Sequence, residues 1–516
     1  MMGGWRRNGG KRWQEKQGNS GDDITEFILR GDEEPVAGSQ STRSSDEAEE
    51  RSVEPRGAGK WMQMEQTNER TPATVAAGKS EPKQAGEALQ KWEWVERSVW
   101  TTRMLQRLEE SQAQTKWFSL WDKVWAGDNL AQASLEVILN KGSAGVDGQS
   151  THELALKMPE ITRQLQQELK SGVYKPLPVK RVWIDKLGSA EKRPLGVPAC
   201  RDRTVQAALR HVIEPIFERD FAQHSYGFRP GKSAQQALAR VEELMRKGKT
   251  WIVDADLKSY FDTIPQEKLI EQVRHRVVDG RVIELLEAYL KAGVMEAGKG
   301  WQPTEQGTPQ GSIISPMLAN IYLNPLDHLM KQEGYDMVRY ADDFVVLCQS
   351  REEAMKALAK ITQWTEQAGL KLHPVKTRLV DASQKGGFDF LGYHYERCQD
   401  GRVPKWPRKK SMLKFRQSIR EKTGRLRSQG MKEIVNEINP KIRGWYGYFK
   451  NSIPSAMKEA DGFIRRRLRS IQRWRHKRKG LSKGRENPEY PNIYFERLGL
   501  FCMEKAQLQV CNPVNH

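Results

Sequence analysis

Two aspartates side by side in the middle of an apolar run constrain this chain more than any other feature. The stretch Met337-Val338-Arg339-Tyr340-Ala341-Asp342-Asp343-Phe344-Val345-Val346-Leu347-Cys348 places apolar and β-branched residues on both sides of the pair. That pattern predicts two short strands joined by a tight hairpin, with Asp342 and Asp343 at its tip. Adjacent carboxylates repel unless a cation shares their charge, and Mg²⁺, which takes carboxylate and phosphate oxygens, suits such a site. A solvated Asp-Asp turn is the plain alternative.

A second apolar strand ending in carboxylates lies upstream, in Thr250-Trp251-Ile252-Val253-Asp254-Ala255-Asp256-Leu257-Lys258-Ser259-Tyr260-Phe261-Asp262. A two-metal phosphoryl-transfer site needs carboxylates from separate strands converging on ions roughly 3.5–4 Å apart, and this strand can supply the missing ligand. Three aspartates compete for that role. Asp262 precedes Thr263-Ile264-Pro265, where a residue capping the next helix is expected. Asp254 and Asp256 project to the same face of the strand, so periodicity does not separate them.

Asp256-Leu257-Lys258-Ser259-Tyr260-Phe261-Asp262 and Tyr340-Ala341-Asp342-Asp343 resemble the first and second catalytic motifs of reverse transcriptases. Between them, Gln306-Gly307-Thr308-Pro309-Gln310-Gly311-Ser312-Ile313-Ile314-Ser315-Pro316 is similar to the family's template- and nucleotide-contacting segment. The resemblance implies that Asp256, Asp342 and Asp343 are ligands of two Mg²⁺ ions. It also implies that Phe261 closes the nucleotide pocket against a ribose 2′-OH. At Gln310-Gly311 a glycine lets the backbone approach a base pair, and the glutamine can hydrogen-bond to it.

Further strings carry the same resemblance. Residues 174–184 and 192–198 look like the arms of a fingers hairpin, in which Lys186 and Arg193 would meet the incoming triphosphate. Asn140-Lys141-Gly142-Ser143-Ala144-Gly145-Val146-Asp147-Gly148 resembles a segment near the start of the polymerase region of group II intron proteins. Ser225-Tyr226-Gly227-Phe228-Arg229-Pro230-Gly231-Lys232-Ser233 is another family match, and a Gly-rich segment with Arg and Lys can hold phosphates through backbone N–H groups. The helix over residues 315–329 is expected to pack under the catalytic strands. Gly369-Leu370-Lys371-Leu372-His373-Pro374-Val375-Lys376-Thr377 resembles the later palm motif, whose lysine, here Lys376, would assist pyrophosphate departure. Phe388-Asp389-Phe390-Leu391-Gly392-Tyr393 resembles the hairpin that grips the primer end.

Charge adds a second constraint. The chain of 516 residues carries a formal +19, divided as −3 over residues 1–95, +3 over 96–395 and +19 over 396–516. Such concentration points to a polyanion held by the C-terminal quarter, most simply nucleic acid. In the cationic run over residues 463–479, Phe463, Arg467, Ile471 and Trp474 are expected along one helical face, with cations on the others. Ile442-Arg443-Gly444-Trp445-Tyr446-Gly447-Tyr448-Phe449 resembles the signature of the maturase, or thumb, domain of group II intron proteins. Arg443, Lys450, Arg465, Arg466, Arg469 and Arg473 are accordingly the expected RNA-binding residues.

Residues 1–90, rich in Gly, Ser, Glu, Gln and Arg without apolar periodicity, are expected to be a disordered extension. Trp117, Leu120, Trp121 and Val124 follow helical spacing. No apolar run reaches the roughly 18 residues of a membrane span, and no signal peptide is evident, so a soluble cytoplasmic protein without membrane contact is expected. The five cysteines are scattered, and Cys502 and Cys511 lack the spacing of a zinc site. Many group II intron proteins, which the chain resembles, end in a DNA endonuclease with paired cysteines; this departure from that pattern implies no endonuclease activity. The fold class expected is α+β: a right-hand polymerase with fingers, palm and antiparallel catalytic sheet over 91–400, then an α-helical thumb or maturase domain over 401–516. The resemblance implies an RNA-directed DNA polymerase that copies group II intron RNA into cDNA for mobility and binds that RNA to assist splicing. Its partners would be the intron RNA, an RNA template with DNA primer, dNTPs and target DNA. An RNA-binding splicing cofactor with an idle polymerase site is the alternative from another class. A retron-like or defence reverse transcriptase, a third reading, should lack Gly444-Trp445-Tyr446.

Overall fold

The computed structural model describes residues 91–112, 115–185, 192–384, 386–477 and 488–511. The extension over 1–90 and Lys186 lie outside them. Strands in chain order are β1 (Val179–Asp185), β2 (Lys192–Val197), β3 (Trp251–Ala255), β4 (Val294–Glu296), β5 (Gly300–Gln302), β6 (Asp336–Tyr340), β7 (Asp343–Cys348), β8 (Arg378–Asp381), β9 (Phe388–Phe390), β10 (Tyr393–Tyr395) and β11 (Lys405–Pro407). They form three sheets, ordered β2-β1-β4-β5, β6-β7-β3-β8 and β11-β10-β9. All pairings are antiparallel except β1 with β4.

The sheet containing β6 and β7 carries the aspartate pair. Tyr340 pairs with Asp343 across a two-residue loop, Ala341-Asp342, as the apolar pattern predicts. Ile252, Val253, Val338, Val345, Val346 and Leu347 have no exposed surface, because helices cover the sheet. Helices Ala234–Arg246 and Ser315–Gln332 pack on β6, and Arg351–Gln367 packs on β3 and β7. A sheet buried this way needs apolar residues at consecutive positions rather than alternate ones.

Two expectations about helices need correction. Only Trp121–Val124 is helical in the early tryptophan segment. Ser119 takes a left-handed φ of 55° that breaks the turn before it, and Trp117 instead forms an isolated parallel β-bridge with Val277. In the helix Pro454–Arg475, the buried stripe is Met457, Ala460, Ile464, Leu468 and Ile471. Phe463 is only half-buried and Trp474 is exposed, so the face chosen from sequence is rotated from the real one.

The third sheet leads into helices Lys409–Lys422, Met431–Phe449 and Pro454–Arg475. Its β9–β10 hairpin turns through Leu391 and Gly392, both at positive φ (44° and 81°), the backbone of a type I′ turn. No helix among the described residues is long and apolar enough to cross a membrane.

Candidate active site

The structure separates the two strand aspartates that periodicity could not. Asp254 lies opposite Arg378 of β8 and accepts a hydrogen bond from its Nε at 3.0 Å. Asp256 follows the last residue of β3, and since Ala255 pairs with Phe344, the next register position sets it beside Asp343. Its carbonyl accepts from His373 N at 2.7 Å. Its carboxylate meets the Lys376 ammonium at 2.7 Å. Lys376 is thereby placed at the carboxylates rather than in open solvent.

The charge of Asp256 acts on both hairpin carboxyls. Burial, with the charge of Asp256 behind it, pushes the Asp342 carboxyl up to about 6 against the partial relief of its own backbone N–H, Arg193 and Lys376. Burial also drives the Asp343 carboxyl well above the ordinary range, and Asp342, Asp256 and Asp254 add to it. Asp342 Oδ1 is buried with no hydrogen-bond partner among the described residues. As placed, no three His, Cys, Asp or Glu side chains among the described residues gather closely enough to cage an ion by themselves. A converging, mutually repelling set with an unpartnered buried oxygen nevertheless fits a hard cation by charge and donor type.

The hairpin tip is held by several independent contacts. Ala341 has a φ of 59°, unfavourable for a residue with a Cβ. Arg339, with no exposed surface, donates to both carboxylate oxygens of Asp327 (2.8 and 3.1 Å through Nε), to Asn320 Oδ1 (2.8 Å) and to the Ala341 carbonyl (2.9 Å). Gly227 lies against the same turn, where an added Cβ would fall 2.2 Å from Ala341 N. Tyr226 N donates to the Arg339 carbonyl at 2.8 Å. The motif over 225–233 therefore backs the hairpin. Its Arg229, 8% exposed, pairs with Glu218 and donates to the Ala222 and Ser225 carbonyls, so its guanidinium is engaged within the fold.

Beside the carboxylates, Phe261 packs edge-on to Tyr260, with ring centroids 5.5 Å apart. Thr308 N donates to the Phe261 carbonyl at 2.7 Å, which draws the Gln310-Gly311 loop to the same place. Gly311 has a φ of 99°, and a Cβ there would meet Gly196 O of β2 at 2.7 Å. The loop and β2 thus touch backbone to backbone. Asp262 caps no helix, since Pro265 precedes the helix Gln266–Arg274 and no side chain caps it. Instead Asp262 accepts from Gln310 Nε2 at 3.4 Å. Burial raises its carboxyl, and the nearby charges of Arg181 and Arg193 pull it back down. Sequence reasoning missed Arg181 and this use of Asp262, because the partners of both lie far along the chain.

The expected RNA-binding residues do not form one set. Arg443, Lys450 and Arg466 are exposed, and Arg465 and Arg473 are half-buried. The Arg443 guanidinium lies 4.4 Å over the Phe501 ring. Arg469 is corrected: it is 6% exposed, donates to the Tyr490 carbonyl (2.9 Å) and Asn492 Oδ1 (2.8 Å), and packs on Phe495. Its guanidinium fastens two helices. A cluster assembled only by folding is Arg420 over Phe463, Arg425 on Ser470 Oγ and Arg467 on the Thr423 carbonyl. Burial and the charges of Arg425 and Arg420 lower the proton affinity of Arg467. In the 442–449 signature, Tyr448 Oη donates to the Leu391 carbonyl at 2.7 Å, and Tyr393 Oη donates to the Tyr448 carbonyl at 2.7 Å. That signature is the seat of the β9–β10 turn.

Residues 184–395 match the family described as reverse transcriptase (RNA-dependent DNA polymerase), and residues 412–488 match the group II intron, maturase-specific domain. The chain is similar to protein YkfC of Escherichia coli (strain K12), 34% identical over 303 residues covering 51% of this chain and 79% of YkfC. It is 41% identical over 175 residues to group II intron-encoded protein LtrA of Lactococcus lactis subsp. cremoris, covering 34% of this chain and 28% of LtrA. It thus spans most of YkfC but little more than a quarter of LtrA. A chain of a solved partial Cas6-RT-Cas1–Cas2 complex aligns over 48% of this chain and 41% of its own, at 25% identity and a TM-score of 0.32, too loose a superposition to argue from.

Proposed function

The chain belongs to the reverse transcriptase family of group II intron-encoded proteins, and we propose that it extends a DNA primer along an RNA template at Asp256, Asp342 and Asp343. Its C-terminal helices hold group II intron RNA and assist splicing, in the cytoplasm. The observation that carries this reading is the convergence of Asp256, at the end of β3, with Asp342 and Asp343, where the charge of Asp256 raises the proton affinity of both hairpin carboxyls and Asp342 Oδ1 has no hydrogen-bond partner among the described residues. In this reading the domains are fingers and palm over 91–400 and a thumb over 401–516.

The three carboxylates would hold two Mg²⁺ ions, which when bound supply charge neutralisation for the attacking primer hydroxyl and for the phosphates. Arg193, already within the field of Asp342 and Asp262, draws the triphosphate of a dNTP toward them. Phe261, fixed against Tyr260, presents bulk to the 2′ position of the sugar. Gln310 and Gly311 face the new base pair. Lys376, anchored at Asp256, can give a proton to departing pyrophosphate. Tyr448 and Tyr393 fix the β9–β10 turn that supports the primer end. Arg443, Lys450, Arg465, Arg466 and Arg473 contact intron RNA, and priming on target DNA completes mobility.

The purified protein given an annealed RNA template, DNA primer, dNTPs and Mg²⁺ tests the reading. Template-directed extension is expected, together with accelerated splicing of its intron RNA at limiting Mg²⁺. No extension on any RNA template would leave only the splicing role.

A further inference from the structure

One buried amide reaches the proposed nucleotide pocket from behind. Gln206 lies on the helix Cys200–Glu218 and is 2% exposed. Its Oε1 accepts from Ser312 Oγ at 2.6 Å and from Ile313 N at 3.0 Å. A single oxygen therefore holds the two residues that follow Gln310-Gly311.

The other ties on this loop show what Gln206 controls. Thr308 N is bonded to the Phe261 carbonyl (2.7 Å), Gly196 N to the Gln310 carbonyl (2.6 Å) and Ser315 Oγ to the Pro309 carbonyl (2.9 Å). The first fixes the entry of the loop, the second fixes it to β2, and the third closes it on the following helix. By contrast the Gln310 side chain has, among the described residues, only the long 3.4 Å hydrogen bond to Asp262. Where that side chain points is decided by its backbone, and the backbone is set on its C-terminal side by Gln206. One turn earlier on the same helix, Asp202 accepts from Tyr174 Oη (2.6 Å) and Leu177 N (3.0 Å), just before β1. The helix thus references both the root of the fingers hairpin and the loop to one rigid body.

We propose that Gln206 is a positioning residue for nucleotide selection: through Ser312 and Ile313 it sets the height of Gln310-Gly311 against the template–nucleotide pair. This rests on the reading that Gln310-Gly311 faces that pair. Without an acceptor at position 206, the Ile313 N–H and Ser312 hydroxyl lose their buried partner, and the loop must shift to find another. Displacements of about 1 Å at a reacting pair can cost on the order of 10²-fold in rate, and they weaken discrimination because matched and mismatched pairs then fit more equally.

The test is single-turnover incorporation of matched and mismatched dNTPs by the full chain. Gln206→Leu keeps volume but removes the acceptor, whereas Gln206→Glu keeps an acceptor oxygen. The leucine variant is expected to raise the Kd of the matched dNTP and to lower the matched-to-mismatched ratio by about tenfold, with the glutamate variant restoring most of it. A lost fold alone would lower the active fraction without moving either ratio or Kd. If the leucine variant does not fold, Ser312→Ala should lower the ratio and Gln206→Glu should not. Gln310→Ala runs alongside. If it changes discrimination while Gln206→Leu and Ser312→Ala do not, the inference is overturned and the loop reading stands. If Gln310→Ala changes nothing, the loop reading fails and takes the inference with it.

Discussion

At the scale of single residues, what was legible in the sequence was chemistry set by neighbours along the chain. The Asp342-Asp343 pair needed only its apolar flanks to be placed at a hairpin tip. The choice between Asp254 and Asp256 could not be made from the pattern, because parity puts both on one face. The fold gives Asp254 a partner in Arg378 and Asp256 one in Lys376, so the assignment of Asp256 as the metal ligand rests on the family resemblance. Asp262 looked like a cap for the same reason: its contact with Gln310 is made by the fold. Phe261 gives the sharpest residue-level prediction. Phe261→Ala should admit ribonucleotides, raising the rNTP-to-dNTP incorporation ratio by at least tenfold, about 1.4 kcal/mol of lost discrimination. An unchanged ratio in single-turnover assays would make Phe261 a packing aromatic.

Elements were predicted where periodicity is enforced by burial on one side, and lost where polar residues share the buried face. The helix Pro454–Arg475 buries Asp461, Arg469 and Gln472 alongside its aliphatic stripe, which is why a reading based on Phe463 and Trp474 chose the wrong face. The helix Cys200–Glu218 yields a pH prediction. Burial raises the Glu214 carboxyl to about 7 against the opposing charge of Arg210. A folded-state value above the unfolded one means that the folded chain binds the extra proton between them. Stability from this group is therefore full below about 4.5, falls as pH rises, and is lost above about 7. Gln in place of Glu214 removes that loss, so Glu214→Gln should leave the unfolding free energy near wild type at pH 4.5 and raise it at pH 8 by up to roughly 3 kcal/mol. Chemical denaturation at the two pH values measures it. An equal effect at both would show that Glu214 ionises freely in the fold.

For the molecule as a whole, sequence located the positive charge but not its addresses. The +19 over residues 396–516 is partly internal: Arg469 joins helices, while Arg420, Arg425 and Arg467 gather at a seam. Replacing Arg465, Arg466 and Arg473 with Gln should weaken intron RNA binding and flatten its logarithmic salt dependence by roughly 0.7–0.9 for each phosphate that is no longer neutralised. Arg469→Gln should instead lower thermal stability. A salt slope unchanged in the triple variant would move the RNA surface to the seam arginines. The central claim is that metal-dependent synthesis and RNA binding reside in different parts of one chain, and one paired measurement tests it most directly. The Asp342→Asn, Asp343→Asn variant is assayed for primer extension and for intron RNA affinity in the same buffer. The account predicts extension reduced below detection with RNA affinity within a few fold of wild type. Extension at the wild-type rate would contradict it.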